Sequence, residues 1–290
     1  MPKSIRSYLQ QSLHKSLYNS AYSRALYTNL GIIIKEIRCV FHQFFTIRYP
    51  FRSLWRCFQV LFSALMRVFL GRSLRYSYAY RGEDRVIEGI LKPLITQSGF
   101  YVEVGCNHPK FHSNTYGLYR KGWSGICIDA NERLIQKYSL YRPNDVAVCA
   151  LVSNEERAMA FYRVENDVLS TVDPANLRQV ETLGLQHEVV TKKAKTLTAI
   201  LQSHAAPARF DLLSIDAEEH DFEVLTSLDF NVYAPRLIVV EDEDFGWTNH
   251  QQNRFVQFLK PKGYQLVGYV LKNAYFELVE PRWPEEYEMS

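Results

Sequence analysis

From residue 81 onward, short apolar runs alternate with amphipathic stretches. The runs at 100–105, 125–129, 146–151, 210–216, 236–241, 264–270 and 275–279 have the length and the Val, Ile and aromatic content of strands. Between most of them lie helical patterns, at 131–140, 197–204, 220–228 and 250–260. Residues 83–95 also read as a helix, disturbed near its end by Pro93. Strand and helix in alternation imply an α/β fold with a mostly parallel sheet covered on both faces. Only residues 271–274 separate the last two runs, which is hairpin spacing, so the sheet is expected to include one antiparallel strand. Weaker runs at 159–164 and 189–194 read as extra edge strands. Between them, residues 165–187 are largely polar, with Pro174 and Gly184, and too long for a plain connection. They read as a surface excursion or as a lid facing a substrate.

Before residue 81 the pattern is different. Lys35, Arg38 and His42 recur at helical spacing opposite Ile33, Ile37, Phe41 and Phe44. Beyond Pro50, Arg56, Gln59, Ser63 and Arg67 form a narrow polar stripe against a wide face that includes Trp55, Phe58, Phe62 and Phe69. Neither stretch has the roughly 20 uninterrupted apolar residues that span a bilayer. Charge separates the two parts further. Residues 1–78 hold 12 lysines and arginines and one acid, a net +11, and the remainder carries −8. The expected organisation is a basic, aromatic-rich helical region over 1–80 and a catalytic domain over 81–290. The basic arm suits an anionic membrane surface, or packing on the catalytic domain or a second subunit as a homo-oligomer. No recognised binding motif accompanies the charge, so nucleic acid is not an expected partner.

The five cysteines, Cys39, Cys57, Cys106, Cys127 and Cys149, include no CxxC pair, and Cys127 and Cys149 lie in apolar runs. They are expected to be buried reduced thiols. The first 20 residues lack a signal-peptide core. The expectation is therefore cytoplasmic, peripheral at the inner face of the membrane if the basic arm binds there.

In an open parallel sheet, ligands bind beyond the carboxyl ends of the strands. The run Phe-Tyr-Val-Glu-Val-Gly-Cys-Asn-His-Pro from Phe100 ends one strand at Gly105, where a ligand can approach bare backbone, or where the chain simply turns. Asn107 and His108 follow. Ser113 or Asn114 can cap the next helix and leave N–H groups aimed at an anion. The second strand ends at Asp129, 24 residues after Gly105. That is close to the spacing of a ribose-binding acid, although Asp129 could also cap a helix. The fourth ends in Asp216, Glu218, Glu219, His220 and Asp221, a cluster costly to bury unless it binds something. The fifth ends in four acids, Glu241 to Asp244, a solvated loop or the edge of a cleft. Asp216 with Glu241 or Asp242 could offer oxygen ligands to Mg²⁺.

Five segments now make a specific resemblance. They are the run from Phe100, Ser-Asn-Thr-Tyr from Ser113, Lys-Gly-Trp-Ser-Gly-Ile-Cys-Ile-Asp-Ala-Asn from Lys121, Asp-Leu-Leu-Ser-Ile-Asp-Ala-Glu from Asp211, and Leu-Ile-Val-Val-Glu-Asp from Leu237. In order over residues 100–280, they resemble the FkbM-type methyltransferases, which use S-adenosylmethionine (SAM). The resemblance implies a Rossmann-like class I methyltransferase fold with a seven-stranded sheet of order 3-2-1-4-5-7-6. It implies that Glu103, Gly105 and Asn107 hold the methionine end of SAM, and Asn114 is a further candidate for binding the cofactor. Asp129 and Ala130 would hold the ribose, and the loop from Asp216 to Glu218 would border the reacting methyl. Family members mostly methylate hydroxyls, often on sugars of glycolipids, polysaccharides or natural products. The family has Asp where this chain has Glu103, and Gly where it has Glu219. If that glycine adopts positive φ, Glu219 is strained.

Transfer to a hydroxyl needs an aligned acceptor and a group to take its proton. His220 is the first choice because histidine titrates near neutrality, with Glu241 and His108 as alternates and Glu218 beside them. Two other readings compete. A nicotinamide-dependent oxidoreductase shares the glycine turn and the ribose acid, but Gly105-Cys-Asn-His lacks the further glycines that admit a pyrophosphate. A non-catalytic scaffold retaining the fold is compatible with Glu219 and the long basic arm.

Overall fold

The computed structural model describes residues 58, 62, 66, 77–92, 98–165 and 169–279. The chain divides into two units, Met1–Tyr76 and Ser77–Ser290. The helices expected before residue 77 lie outside the described residues, except that Phe58, Phe62 and Met66 are helical and exposed. Everything that follows belongs to the second unit. No helix among the described residues is long and apolar enough to cross a membrane.

The sheet has seven strands. In chain order they are β1 (Phe100–Val104), β2 (Ser124–Asp129) and β3 (Val146–Cys149), then, after three strands of a smaller sheet, β7 (Arg209–Ile215), β8 (Ala234–Glu241), β9 (Tyr264–Val270) and β10 (Asn273–Leu278). Their spatial order is β3-β2-β1-β7-β8-β10-β9. This is the 3-2-1-4-5-7-6 order expected, with β10 antiparallel to both neighbours and the other pairs parallel. The order reverses beside β1, so β1 and β7 diverge into their crossovers there and leave a crevice at their carboxyl ends.

Side-chain alternation divides the core in two. Val102, Val104, Ile126, Ile128, Leu213, Ile215, Ile238 and Val240 face one way. They meet three helices: α6 (Leu197–Ser203), α7 (Asp221–Thr226) and α8 (Arg254–Leu259). Tyr101, Cys127, Leu212, Leu237, Val239 and Tyr275 face the other way. There they meet Ile87 of α1 (Glu83–Ile90), Leu118 of α2 (Tyr116–Tyr119), Trp123, and Tyr138. Each such fully buried side chain contributes on the order of 1.5–3 kcal/mol relative to exposure.

Several elements differ from the sequence pattern. The run 146–151 splits at Ala150, and Leu151–Val152 (β4) leaves the main sheet to pair with β6 (His187–Lys195). That strand also pairs antiparallel with β5 (Ala158–Val164). The two weak strand candidates are thus partners, and form a three-stranded sheet with β4. The helix expected over 131–140 is two short ones, α3 (Glu132–Ile135) and α4 (Tyr138–Tyr141). Tyr138 turns inward and donates to the Cys106 carbonyl at 2.8 Å. The polar excursion contains a helix, α5 (Pro174–Thr182), capped by Asp173, which accepts from the Ala175 N–H. Cys106 and Cys127 are buried free thiols as expected, but Cys149 is free and exposed because β3 is the edge of the sheet.

Candidate active site

The carboxyl ends of β1, β2, β7 and β8 open into one cavity of about 560 Å³. Gly105 and Asn107 reach it from β1, Asp129 and Ala130 from β2. Asp216, Glu218 and His220 reach it from β7, and Glu241 from β8. Asn114 completes the set. Nine of the ten residues singled out for cofactor binding or catalysis therefore share one space.

The tenth, Glu103, does not line it. In the β1 ladder Glu103 pairs with Cys127 and Ser214, on the face of the sheet that carries Tyr101. It is 4% exposed. Its carboxylate accepts from Thr115 Oγ1 at 2.5 Å and the Asn114 N–H at 2.9 Å. Arg142, fully buried, lies 3.5 Å from the same carboxylate and ties it to Asp145 at 2.6 Å, Tyr101 and Thr115. The Arg142 guanidinium also faces the rings of Tyr101, Tyr119 and Tyr138. Burial pushes the Glu103 carboxyl up, while Arg142, Thr115 and the Asn114 N–H favour its ionised form. Glu103 thus acts on the cavity through Asn114, whose backbone it holds and whose side chain donates to Ser214 Oγ at 3.1 Å.

Gly105 has φ +74°, and a Cβ there would meet the Asp216 carbonyl oxygen at 1.7 Å. Glycine is required because the ends of β1 and β7 close on each other, independently of any ligand. Asp129 ties two loops together: one oxygen accepts from the Asn107 N–H at 2.9 Å, the other from the Asn131 N–H at 2.7 Å. The cap of α3 is Asn131 itself, so Asp129 is not a helix cap.

After β7 the chain makes a tight turn through two consecutive non-glycine residues with positive φ, Glu218 at +51° and Glu219 at +72°. The expected strain at Glu219 is present, and Glu218 shares it. The turn is clasped from both sides. Asp221 accepts from the Ala217 N–H at 2.9 Å, and the Glu218 carbonyl accepts from Thr171 Oγ1 at 3.0 Å. Thr171 belongs to the excursion, whose residues Leu169 to Val172 form a wall of the cavity. Nothing in the polar composition of that segment distinguished this wall from a surface loop.

The carboxylates here perturb one another. Burial, then repulsion by Asp221 and Glu83, pushes Asp216 up to about 7, against a hydrogen bond with Glu241. Asp216 itself is exposed to solvent through the cavity. Burial followed by repulsion from Asp216 takes Glu241 to about 8 and Glu218 to about 9, and Lys272 opposes both. Burial lowers His220. Its Nε2 lies 3.0 Å from Ser153 Oγ and its Nδ1 3.8 Å from Glu223.

Two sequence expectations fall away here. His108 does not line the cavity, and its Nδ1 accepts from the N–H groups of Lys110 and Phe111. Asp242 turns from the cavity and accepts from Asn253 Nδ2 at 2.7 Å. Among the described residues no group of three or more His, Cys, Asp and Glu side chains could hold a metal ion, which gives no support to a Mg²⁺ site at Asp216 with Glu241 or Asp242. Sequence reasoning passed over Arg142, and also Tyr80, Arg81, Phe161 and Lys272, which line the cavity without any local motif to mark them.

The sequence profile of the methyltransferase FkbM domain matches residues 103–266, more than half of the chain. No curated protein matches it. Among solved structures, a TehB-like SAM-dependent methyltransferase from Corynebacterium glutamicum ATCC 13032 is 11% identical, with a TM-score of 0.37 over 76% of this chain and 97% of that one. The MycE methyltransferase of the mycinamycin biosynthetic pathway, solved with Mg, SAH and mycinamycin VI, is 10% identical. Its TM-score is 0.38, over 81% of this chain and 64% of that one.

Proposed function

The chain belongs to the FkbM family of methyltransferases, and from that premise we propose that it methylates a hydroxyl group, on a sugar of a glycolipid, polysaccharide or related metabolite, with SAM as donor. One observation carries the reading: four neighbouring strand ends deliver Gly105, Asp129, Asp216 and Glu241 to a single cavity. A nicotinamide-dependent oxidoreductase is set aside by the family match.

The residues present fit SAM. A volume of about 560 Å³ is in the range of small-molecule sites. The bare backbone of Gly105, with Asn107 and Asn114, suits the methionine end. Asp129 is held by two backbone N–H groups, and each carboxylate oxygen can accept more than one hydrogen bond, as ribose hydroxyls require. Ile128, Ala150 and Val152 offer an apolar wall for the base. When bound, SAM supplies a sulfonium methyl: the acceptor oxygen gains it as the C–S bond breaks with its electron pair on sulfur, and the hydroxyl proton is left to the protein.

The protein's part is to align the acceptor and take up that proton. Both ring nitrogens of His220 face protein groups, which suits orientation of the turn. Asp216 and Glu241 line the cavity at adjacent strand ends, and burial followed by repulsion between neighbouring acids raises both carboxyls toward neutrality, which suits proton uptake. The basic arm, net +11 over residues 1–78, suits a lipid-linked saccharide at an anionic membrane surface.

The test is incubation of the purified full chain with methyl-labelled SAM and cell-envelope glycans from cells lacking it. Hydrolysis and mass spectrometry then locate the label. A labelled methyl ether on a sugar is expected. Label found only in non-saccharide products contradicts the acceptor class.

A further inference from the structure

The methionine end of SAM carries an α-carboxylate as well as an α-ammonium, and none of Gly105, Asn107 and Asn114 bears a charge to meet them. Six acids line the cavity, Glu83, Asp129 and Asp216 among them, whereas its lysines and arginines are Arg81 and Lys272. The ammonium thus has several partners to choose from, and the carboxylate has two. A carboxylate left unpaired among acids is strongly disfavoured. Lys272 is already paired with Glu243. Among the described residues the Arg81 guanidinium has no ion-pair partner, and it lies 5.3 Å from the centre of the Tyr80 ring.

The position of Arg81 is fixed by contacts that leave its side-chain charge unused. Tyr80 stacks on His112, with ring centres 5.1 Å apart and planes 24° from parallel. His112 belongs to the loop after β1 that carries Asn107 and Asn114. The Ser113 N–H donates to the Tyr78 carbonyl at 3.2 Å, which ties the two segments by backbone as well. On the other side, Asp84 of α1 accepts from Ser77 Oγ at 2.7 Å and from the Tyr78 N–H at 2.8 Å. Glu83 accepts from the Arg81 N–H at 2.7 Å. These bonds hold Arg81 beside the loop assigned to the methionine end. The apolar wall assigned to the base is elsewhere, at Ile128 of β2 and at Ala150 and Val152 beyond β3.

We infer that Arg81 is the carboxylate anchor of the cofactor site: its guanidinium, carried on the Tyr80–His112 stack, pairs with the α-carboxylate that SAM shares with its product S-adenosylhomocysteine (SAH). This rests on the cavity being the SAM site. A guanidinium presents parallel N–H donors that match the two oxygens of a carboxylate, and its flat face tolerates an aromatic ring beneath it. Arg81 precedes the residues matched by the family profile, 103–266. The group that reads the amino-acid end of the cofactor therefore comes from outside the matched segment.

Isothermal titration of the full chain with SAH and with 5′-methylthioadenosine tests this. The second ligand keeps the nucleoside and the sulfur and lacks the amino-acid carboxylate and ammonium. Arg81→Gln is expected to weaken SAH binding roughly ten- to hundredfold and to leave methylthioadenosine within about twofold of the parent, as loss of one charge-assisted pair requires. Arg81→Lys should recover part of the loss, because an ammonium keeps the charge without the fork. Unchanged methylthioadenosine binding also shows that the variant cavity is formed. Unchanged SAH affinity in Arg81→Gln, or equal losses for the two ligands, overturns the proposal and leaves the cofactor assignment standing. Binding of neither ligand by the parent overturns the cofactor assignment and the proposal with it.

Discussion

Gly105 and Asp216 meet backbone to backbone: a Cβ on Gly105 would stand 1.7 Å from the Asp216 carbonyl oxygen. The glycine also has φ +74°. Both facts forbid a side chain, so Gly105→Ala must push β1 and β7 apart where the cavity forms. The expected cost is about 2–4 kcal/mol. In a unit of this size that lowers the melting temperature by several degrees, roughly 2–4 °C per kcal/mol, and SAH binding should be lost with it. Calorimetric melting with and without SAH checks both.

Glu219 gives the opposite case. It is exposed, with φ +72°, where the family has glycine. Glu219→Gly removes a left-handed strain of about 1 kcal/mol, partly offset by the freedom glycine gains in the unfolded chain. The variant should melt about 1–4 °C higher than the parent. A lower melting temperature would mean that the Glu219 side chain contributes more than its backbone costs.

Arg142 holds Glu103 and Asp145 with no exposure to solvent. Arg142→Met leaves two buried carboxylates without their cation, and is expected to cost about 3–5 kcal/mol. Arg142→Lys should recover little, because one ammonium cannot replace a planar fork that reaches Asp145, Tyr101, Thr115 and Ser113 together. Urea unfolding of the two variants compares them directly.

Stability should also depend on pH with a definite sign. Asp216, Asp221, Glu241 and Glu218 titrate at about 7, 7, 8 and 9 in the folded protein, against about 4 in an unfolded chain. Between those limits the folded state binds more protons than the unfolded one, so stability falls as pH rises. The ligand-free protein should melt progressively lower from about pH 5 to 9, and Glu218→Gln should flatten that slope. A melting temperature that rises over the same range would contradict the assigned shifts.

The sheet was legible because each strand is a short apolar run closed by a turn or an acid, and the terminal hairpin because only residues 271–274 intervene. The split of the third run at Ala150 was not, since Leu151 and Val152 are as apolar as the residues before them and only pairing with Ala194 and Lys195 separates them. The helix Pro174–Thr182 buries Val180 alone, so its amphipathic signal is faint, although Asp173-Pro174 is a recognisable start. In the site, Gly105, Asp129 and Asp216 could be found because strand ends are where α/β ligands bind. Glu103 was assigned to the cofactor by the resemblance alone, and it does not line the cavity. Strand alternation turns it toward Arg142, 39 positions along the chain, and no local pattern announces that partner. Thr171 and Lys272 enter the cavity only through tertiary placement.

The most direct test of the whole account is calorimetric titration of SAH into the full chain, beside Asp129→Ala and beside NAD as the competing ligand. The account predicts one site per chain, an affinity at least about tenfold weaker in Asp129→Ala, equivalent to about 1.4 kcal/mol, and no binding of NAD. Absence of SAH binding by the parent, or an equal affinity in the variant, would contradict it.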